Sequence, residues 1–321
     1  MKEIKIAIIG CGAVTRLSYL PELPKIPGLR ICYVYDTDPA LAKSAALTAG
    51  ARVAEPEEIL EKADAVIIAT PPATHAKLIH YYLQKIRTVI CEKPFVGTLS
   101  EARALVAMAS EKSADLFVAH FRRCFPNVTL ARSIIETGLI GQVTALELYE
   151  GGRFTWQATS NYTEKERFGG VHFDTGSHTI DMALFAAGLD TIPLNIVIDN
   201  VESDGTKPFH MVKAKFTFNT DACKGNGFLY LSRYEVLANL IRIIGERGVL
   251  EFSTGMDNRI RLSGVSGSTT VTAESSLKTF MDPFRLQYRH MLGGSGNLFD
   301  AARFVNLTDF LEKIDGALGG Q

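Results

Sequence analysis

Over the first 120 residues, short apolar runs alternate with amphipathic stretches. IKIAIIG, LRICYVYD, ADAVIIAT, RTVIC and ADLFVAH are nearly continuous in apolar side chains. Between them lie the stretch after Gly12, PALAKSAALTAG, THAKLIHYYLQK and LSEARALVAMASEKS, which carry helical character. Strands apolar on both faces and separated by helices predict a parallel sheet covered on both sides. PALAKSAALTAG opens on proline and stops at Gly50, as helix punctuation should.

The rhythm changes after about Phe125. NVTLARSIIETG predicts a helix ending at Gly138, QVTALELYEGG a strand, and DTGSHTIDMALFAAG a second helix. Beyond Leu194 come NIVIDNV, MVKAKFTF, GFLYLSRY, LIRIIG, GVLEFS and RIRLSG. No helical pattern interrupts these runs, so a mostly antiparallel sheet is predicted. LFDAARFVNLTDFLEKIDGAL predicts a closing amphipathic helix. The expected architecture is α/β: a doubly wound parallel sheet over residues 1–122, then an α+β domain over 123–321 with a large, open, mostly antiparallel sheet. The second domain is expected to bind substrate and to form oligomers. The closing helix, at about residues 299–315, is expected to pack back on the first domain. Too few late helices remain to cover both faces of the second sheet, so one face is expected to meet another subunit in a homodimer or homotetramer.

Composition narrows the function classes. The chain has 321 residues, of which 46% are hydrophobic and 21% charged, within the ordinary globular range. Its 34 Lys and Arg against 35 Asp and Glu give a net charge of -1, so no basic field is available for nucleic acid. No apolar run approaches a membrane span. The strand pattern starts within the first residues, which leaves no room for a signal peptide. Five cysteines (Cys11, Cys32, Cys91, Cys124, Cys223) form no C-x-x-C pair, as expected of reduced thiols in a cytoplasmic protein.

The first candidate site is a glycine loop. IAIIGCGAVTRLSYL places Gly10 and Gly12 after a strand and before a helix, in the pattern G-x-G-x-x-T. Gly10 suits the tight turn, and Gly12 lets a pyrophosphate approach the backbone. The helix start, including Ala13 and Val14, turns amide donors toward the phosphates. Thr15 stands where the full dinucleotide fingerprint has glycine or alanine. Asp36 ends the second strand, at roughly the 20-residue interval expected of a ribose-binding acid. A carboxylate there repels a 2′-phosphate, so NAD is expected over NADP. By topology, Thr70, Pro71 and His75 of TPPATH, and Glu92 and Lys93 of CEKPF, fall on the same carboxyl edge. Each residue alone also reads as ordinary strand or helix punctuation.

The second candidate site is RFGGVHFDTGSHTIDMALF. Asp174, His178 and Asp181 fall on one face of a helix start, and a histidine flanked by carboxylates suits general acid–base work. The group lacks the further Cys or His of a metal site, so no metal is expected. Arg153, Trp156 and Tyr162 in GGRFTWQATSNYTEK read equally as a sugar pocket or as a surface loop.

Taken together, GCGAVT, YDTDPA, TPPATH, CEKPFVGTLSEA, FRRCFP and GGVHFDTGSHTID resemble the Gfo/Idh/MocA family of glucose–fructose oxidoreductase and inositol dehydrogenase relatives. The motifs stand in family order to about residue 187, and the remainder matches in pattern only. The resemblance implies an N-terminal Rossmann domain and a C-terminal α+β domain whose open sheet faces a partner subunit. It implies NAD(P)-dependent oxidation or reduction of a secondary alcohol on a sugar or cyclitol, with nucleotide sugars as a related substrate class. It places Lys93 near the nicotinamide and the reacting oxygen, with a cis Lys93–Pro94 bond, and makes Asp174 and His178 the rest of the catalytic set. His172 stands where many relatives have an apolar residue. A non-catalytic NAD-binding regulator and an NAD-dependent glycosidase are the competing readings on the same fold.

Overall fold

A computed structural model describes residues 3–153, 167–293 and 296–319. The chain divides into two compact units. Residues up to His120 and the later segment Thr279–Arg303 lie in the first; the second runs from Phe121 to Lys278 and resumes at Phe304.

The first unit is built on six strands: β1 (Ile4–Ile9), β2 (Leu29–Tyr35), β3 (Arg52–Val53), β4 (Ala65–Ile68), β5 (Thr88–Glu92) and β6 (Asp115–Ala119). Every pairing is parallel, in the order β3-β2-β1-β4-β5-β6. The order reverses between β1 and β4, the switch point of a doubly wound sheet, where ligands bind at the carboxyl ends of the strands. Residues Ala65 to Ile68 of β4 and Val89 to Cys91 of β5 are buried, which is why these strands read as unbroken apolar runs. The helices start and stop on local chemistry. Asp38 caps Pro39–Ala49 by accepting from Ala40 N at 2.8 Å, and Gly50 ends it in the left-handed conformation. Thr98 and Glu101 form a reciprocal capping box on Leu99–Glu111.

The second unit holds eight strands: β7 (Val143–Gly151), β8 (Asn195–Ser203), β9 (Met211–Asn219), β10 (Lys224–Ser232), β11 (Leu240–Gly245), β12 (Gly248–Ser253), β13 (Arg259–Gly264) and β14 (Gly267–Thr272). Their order is β14-β13-β12-β11-β7-β10-β9-β8, and all pairs are antiparallel except β7 with β10. β14 is a strand that the apolar pattern did not announce, because GSTTVT is exposed and polar. One face is a strict alternation of buried side chains, including Leu146, Leu148, Val212, Ala214, Phe216, Leu229, Ile241 and Leu250. The helices Pro126–Glu136, Val171–Ala187 and Val305–Gly319 pack on this sheet. Gly225 and Gly227 of β10 face Phe218 and Phe216 across the β9 pairing. A Cβ at Gly227 would lie 2.1 Å from the Phe216 ring. The glycines therefore make room for two aromatic rings, a pairing that recovers the packing a glycine forfeits.

A buried arginine ties this unit together. Arg123 has no exposed surface, and its Nε and terminal nitrogen donate to both Asp181 oxygens at 2.6–3.1 Å. It lies 3.2 Å from Asp190, and its guanidinium sits 4.0 Å from the Phe304 ring centroid and 5.0 Å from that of Phe185. Asp181, placed above on the same helix face as His178, has both oxygens engaged by this cation.

The end of the chain differs from expectation. The late element that joins the first unit is the helix Asp282–Leu292, which buries Phe284, Tyr288, Met291 and Leu292. The closing helix is Val305–Gly319 and belongs to the second unit. Phe310 packs on Phe216 with centroids 4.7 Å apart, Lys313 donates to Ile196 O at 2.8 Å, and Asn306 donates to Leu189 O at 2.7 Å. Its apolar stripe packs on the inner face of β8 and β9.

Candidate active site

The carboxyl edge of the first sheet gathers three loops. Gly10 follows β1 with φ 94, and its amide donates to Tyr35 O at 2.8 Å. A Cβ there would stand 2.5 Å from Ala69 O. Gly12 is different: a Cβ on it would meet no protein atom within 4 Å. Protein packing therefore requires glycine at position 10, whereas position 12 leaves an open approach to the backbone. Ala13 and Val14 are half-buried at the helix start, and the chain continues as a π turn, Thr15–Tyr19, into the short helix Leu20–Glu22. Thr15, the departure from the glycine fingerprint, is buried and donates from Oγ1 to Gly10 O at 2.7 Å. The hydroxyl braces the loop that a third glycine would only have allowed to pack.

Asp36 is joined to this loop. Its Oδ2 accepts from Cys11 N at 2.6 Å and its Oδ1 from Asp38 N at 2.8 Å. Each carboxylate oxygen keeps a second lone pair for a ligand hydroxyl. The open side of Gly12, the adjacent helix start and the anchored carboxylate fit a dinucleotide.

β4 and β5 bring in the other two loops. Thr70 and Pro71 are half-buried, with Thr70 Oγ1 2.7 Å from Thr74 Oγ1. His75 has no exposed surface. Its Nδ1 lies 2.9 Å from Pro94 O and 3.1 Å from Phe95 O, and its Nε2 lies 2.9 Å from Thr70 O. Burial pushes its pKa down, against the pull of these carbonyls. At the carboxyl edge where it was expected, the ring pins the loop after β4 to the loop after β5. β5 ends on Glu92, whose Oε1 accepts from Tyr19 OH at 2.6 Å and whose Oε2 accepts from Lys93 N at 3.2 Å. Burial raises the Glu92 pKa, opposed by the Tyr19 hydrogen bond and the Lys93 charge. Lys93 is half-buried, and the Lys93–Pro94 bond is cis.

The second unit carries the other candidates on the helix Val171–Ala187. Asp174 lies in its first turn, 3.3 Å from Arg233 at the end of β10. His178 follows one turn later, mostly buried, its ring edge-on to Phe121 at 5.4 Å. The neighbouring Thr179 hydroxyl donates to Glu150, which accepts from Arg122 at 2.8 and 2.9 Å. Gly176 lets the helix approach the strand beneath closely: a Cβ there would come 2.6 Å from a terminal methyl of Leu231. His172 is buried 3.5 Å from Asp315 and stacks 4.4 Å from Phe173, which joins this helix to the closing one. Sequence reasoning missed Arg233, Arg122, Glu150 and Tyr19. The tyrosine and Arg233 stand in apolar contexts, where pattern alone carries no charge signal. Arg153 is exposed, and Trp156 and Tyr162 lie outside the described residues. Among the described residues, no cluster suits a metal ion and no helix is long and apolar enough to cross a membrane.

Residues 4–120 match the oxidoreductase family of NAD-binding Rossmann fold, GFO_IDH_MocA, and residues 128–251 match the GFO/IDH/MocA C-terminal domain. The chain belongs to the Gfo/Idh/MocA family. This member is 28% identical over 207 residues to inositol 2-dehydrogenase of Rhizobium meliloti, covering 63% of this chain and 61% of that protein. It is 27% identical over 288 residues to D-apiose dehydrogenase of Paraburkholderia graminis, covering 85% and 73%. Its fold matches an oxidoreductase of Agrobacterium radiobacter solved with NAD+, L-tartaric acid and magnesium, with TM-score 0.78, 21% identity, and coverage of 100% and 98%. The chain spans 53–61% of the length of several curated relatives. The Rossmann expectation and the NAD cofactor thus agree with the family.

The two glycines give separable outcomes. Gly12→Val is expected to keep the thermal unfolding midpoint, since its side chain enters open space, while calorimetric NAD binding is lost. Gly10→Ala is expected to cost about 1 kcal/mol or more of stability through its positive φ and the Ala69 contact. A Gly12→Val chain that binds NAD normally would remove this loop from the cofactor site.

Proposed function

We propose that this protein is an NAD-dependent dehydrogenase that moves a hydride between nicotinamide and a secondary alcohol or ketone of a sugar, cyclitol or nucleotide sugar. The observation that carries the reading is the delivery of Lys93 by β5 to the sheet edge that also holds the Gly10–Gly12 loop and Asp36. The names of the relatives, an inositol and an apiose dehydrogenase, support a polyol substrate.

Bound NAD supplies the hydride chemistry. The chain's residues do the rest. Removing hydride from a carbinol requires the hydroxyl proton to leave as well. His178 is assigned as the proton acceptor in oxidation and the donor in reduction. Lys93 hydrogen-bonds the reacting oxygen and holds its developing charge. Asp174, held by Arg233, orients His178 or binds a neighbouring substrate hydroxyl. Gly10, Gly12, Ala13 and Val14 seat the pyrophosphate, Asp36 binds the ribose, and Thr70, Pro71 and Glu92 line the nicotinamide end. His75 supports that end through the carbonyls it meets.

The outer face of the second sheet is the proposed subunit interface. Leu240, Ile244 and Val249 alternate there with an ion ladder in which Arg242 meets Glu147 at 2.9 Å and Glu251 at 2.7 Å. Tyr149 and Phe228 lie 5.7 Å apart on the same face. Half-exposed apolar side chains on a broad sheet suit a partner of the same kind. Light scattering at micromolar concentration is expected to give a dimer or tetramer; a monomer would exclude this interface.

Asp36 sets the cofactor preference. NAD is expected to bind tighter than NADP in calorimetry, and Asp36→Ser to narrow or reverse the difference. Tighter NADP binding by the unmodified chain contradicts the assignment.

Turnover tests the catalytic roles. A panel of sugars, cyclitols and nucleotide sugars, followed by NADH absorbance, identifies the substrate. Lys93→Met is then expected to lower turnover roughly a hundredfold or more with NAD binding retained. His178→Ala is expected to do the same and to flatten the lower limb of the pH–rate curve, because an imidazole base must be neutral to accept a proton. Near-normal turnover by either variant refutes that residue's role. NAD binding without turnover across the panel favours the regulator.

A further inference from the structure

Beneath the lysine turn, Glu92 is held by a polar chain whose other members, Tyr19, Ser18 and Tyr288, have no assigned part in dinucleotide binding or in the reaction. Tyr19, on the π turn after the glycine loop, is fully buried and donates to Glu92. The second Glu92 oxygen receives the Lys93 amide. One carboxylate thus links the glycine-loop segment to the lysine. Tyr19 is held in turn from far along the chain. Its ring stacks on Tyr288 with centroids 4.9 Å apart and planes at 28°, and the Tyr288 hydroxyl pairs with Ser18. The helix bearing Tyr288 is fastened by Arg285 Nε to Glu22 Oε2 at 2.8 Å.

Glu92 is half-buried, and a carboxylate partly withdrawn from water is costly unless it is paired and hydrogen-bonded, whereas an apolar side chain of similar volume would serve packing as well. A need beyond packing is therefore indicated, and the neighbour that gains from a fixed negative charge is Lys93. An opposite charge at close range favours the charged form of a titrating group.

Resting on the role proposed above for Lys93, we propose that Tyr19 and Glu92 are its positioning residues: the Tyr19 phenol keeps the Glu92 carboxylate ionised and aimed at the turn, and that carboxylate keeps Lys93 a cationic hydrogen-bond donor. The other titratable groups around the turn are Cys91 in β5, Tyr288, His75 against Pro94, His120 after β6, and Glu22 with its partners Lys25 and Arg285. Burial holds the Cys91 thiol and the Tyr288 phenol well above their ordinary pKa values, so both stay neutral near pH 7. Removing the Tyr19 hydroxyl takes away a bond that favours ionised Glu92. The carboxylate then protonates more readily, and Lys93 loses its counter-charge.

The test reads Lys93 directly, on the full-length protein without substrate. Acylation of Lys93 by an amine-reactive ester is followed across pH by peptide mass spectrometry, with NAD binding measured in parallel by calorimetry. Glu92→Gln, which keeps the side-chain shape, is expected to move the Lys93 labelling midpoint down by about one pH unit. Tyr19→Phe is expected to move it the same way by less, and the double variant to match Glu92→Gln, since the two act in series. For Tyr19→Phe, NAD binding is expected to stay within a few-fold. An unchanged midpoint in Glu92→Gln overturns the proposal, as does a Tyr19→Phe shift that adds fully to that of Glu92→Gln. If Tyr19→Phe does not fold, Glu92→Gln decides alone. No turnover is read, so failure of the dehydrogenase reading leaves this outcome independent.

Discussion

The second unit depends on the burial of one cation. A guanidinium withdrawn from water is tolerated only when its donors are met, and Arg123 meets them with Asp181, Asp190 and two aromatic faces. These contacts bind the turn after β6, the helix that carries Asp174 and His178, the loop that follows this helix, and the returning chain at Phe304. Removing one partner from so buried a pair typically costs about 3–5 kcal/mol, because the other charge is left stranded. The helix with His178 therefore has its rotation fixed at Asp181, two turns along from Asp174. Precision at the proposed catalytic face comes from this pairing as well as from the apolar packing of Gly176 on Leu231.

The first sheet was legible because its strands are buried on both faces and its turns use glycine, proline and acidic caps in their ordinary places. The five apolar runs and their spacing sufficed for a doubly wound sheet, while β3, two exposed residues, left no such run. Seven of the eight strands of the second sheet, β7 to β13, were legible, but the parallel pairing of β7 with β10 was not. Alternation fixes which face a residue occupies and carries no information about which strand lies alongside. β14 was invisible because an exposed edge strand of Ser and Thr buries almost nothing. The helix Asp282–Leu292 was missed because its apolar positions are interrupted by Arg285, Gln287, Arg289 and His290 and its start, Met281-Asp282-Pro283, resembles a turn.

At the candidate site, the ends of strands were readable and their partners were not. Gly10, Gly12, Asp36 and Lys93 announce themselves by type and position. The hydroxyl of Thr15 on Gly10 O, the Tyr19 bond to Glu92 and the Arg233 pairing with Asp174 depend on residues distant in sequence. A buried tyrosine or arginine inside an apolar stretch looks like packing until its partner is known. His75 shows the converse. It was read by position as a cofactor-site residue, and the three backbone carbonyls beside its ring could not be foreseen from sequence.

The position of β7 has a consequence for synthesis. This strand ends at Gly151, yet its two sheet neighbours are β10, ending at Ser232, and β11, ending at Gly245. On the ribosome, β7 emerges with both edges unpaired and stays so until some eighty more residues follow, on the order of ten seconds at ordinary elongation rates. The first unit likewise lacks its Asp282–Leu292 helix until nearly the whole chain is made. The first sheet can pair as it emerges, whereas the second cannot, and its apolar central strand must be kept from other chains in the interval.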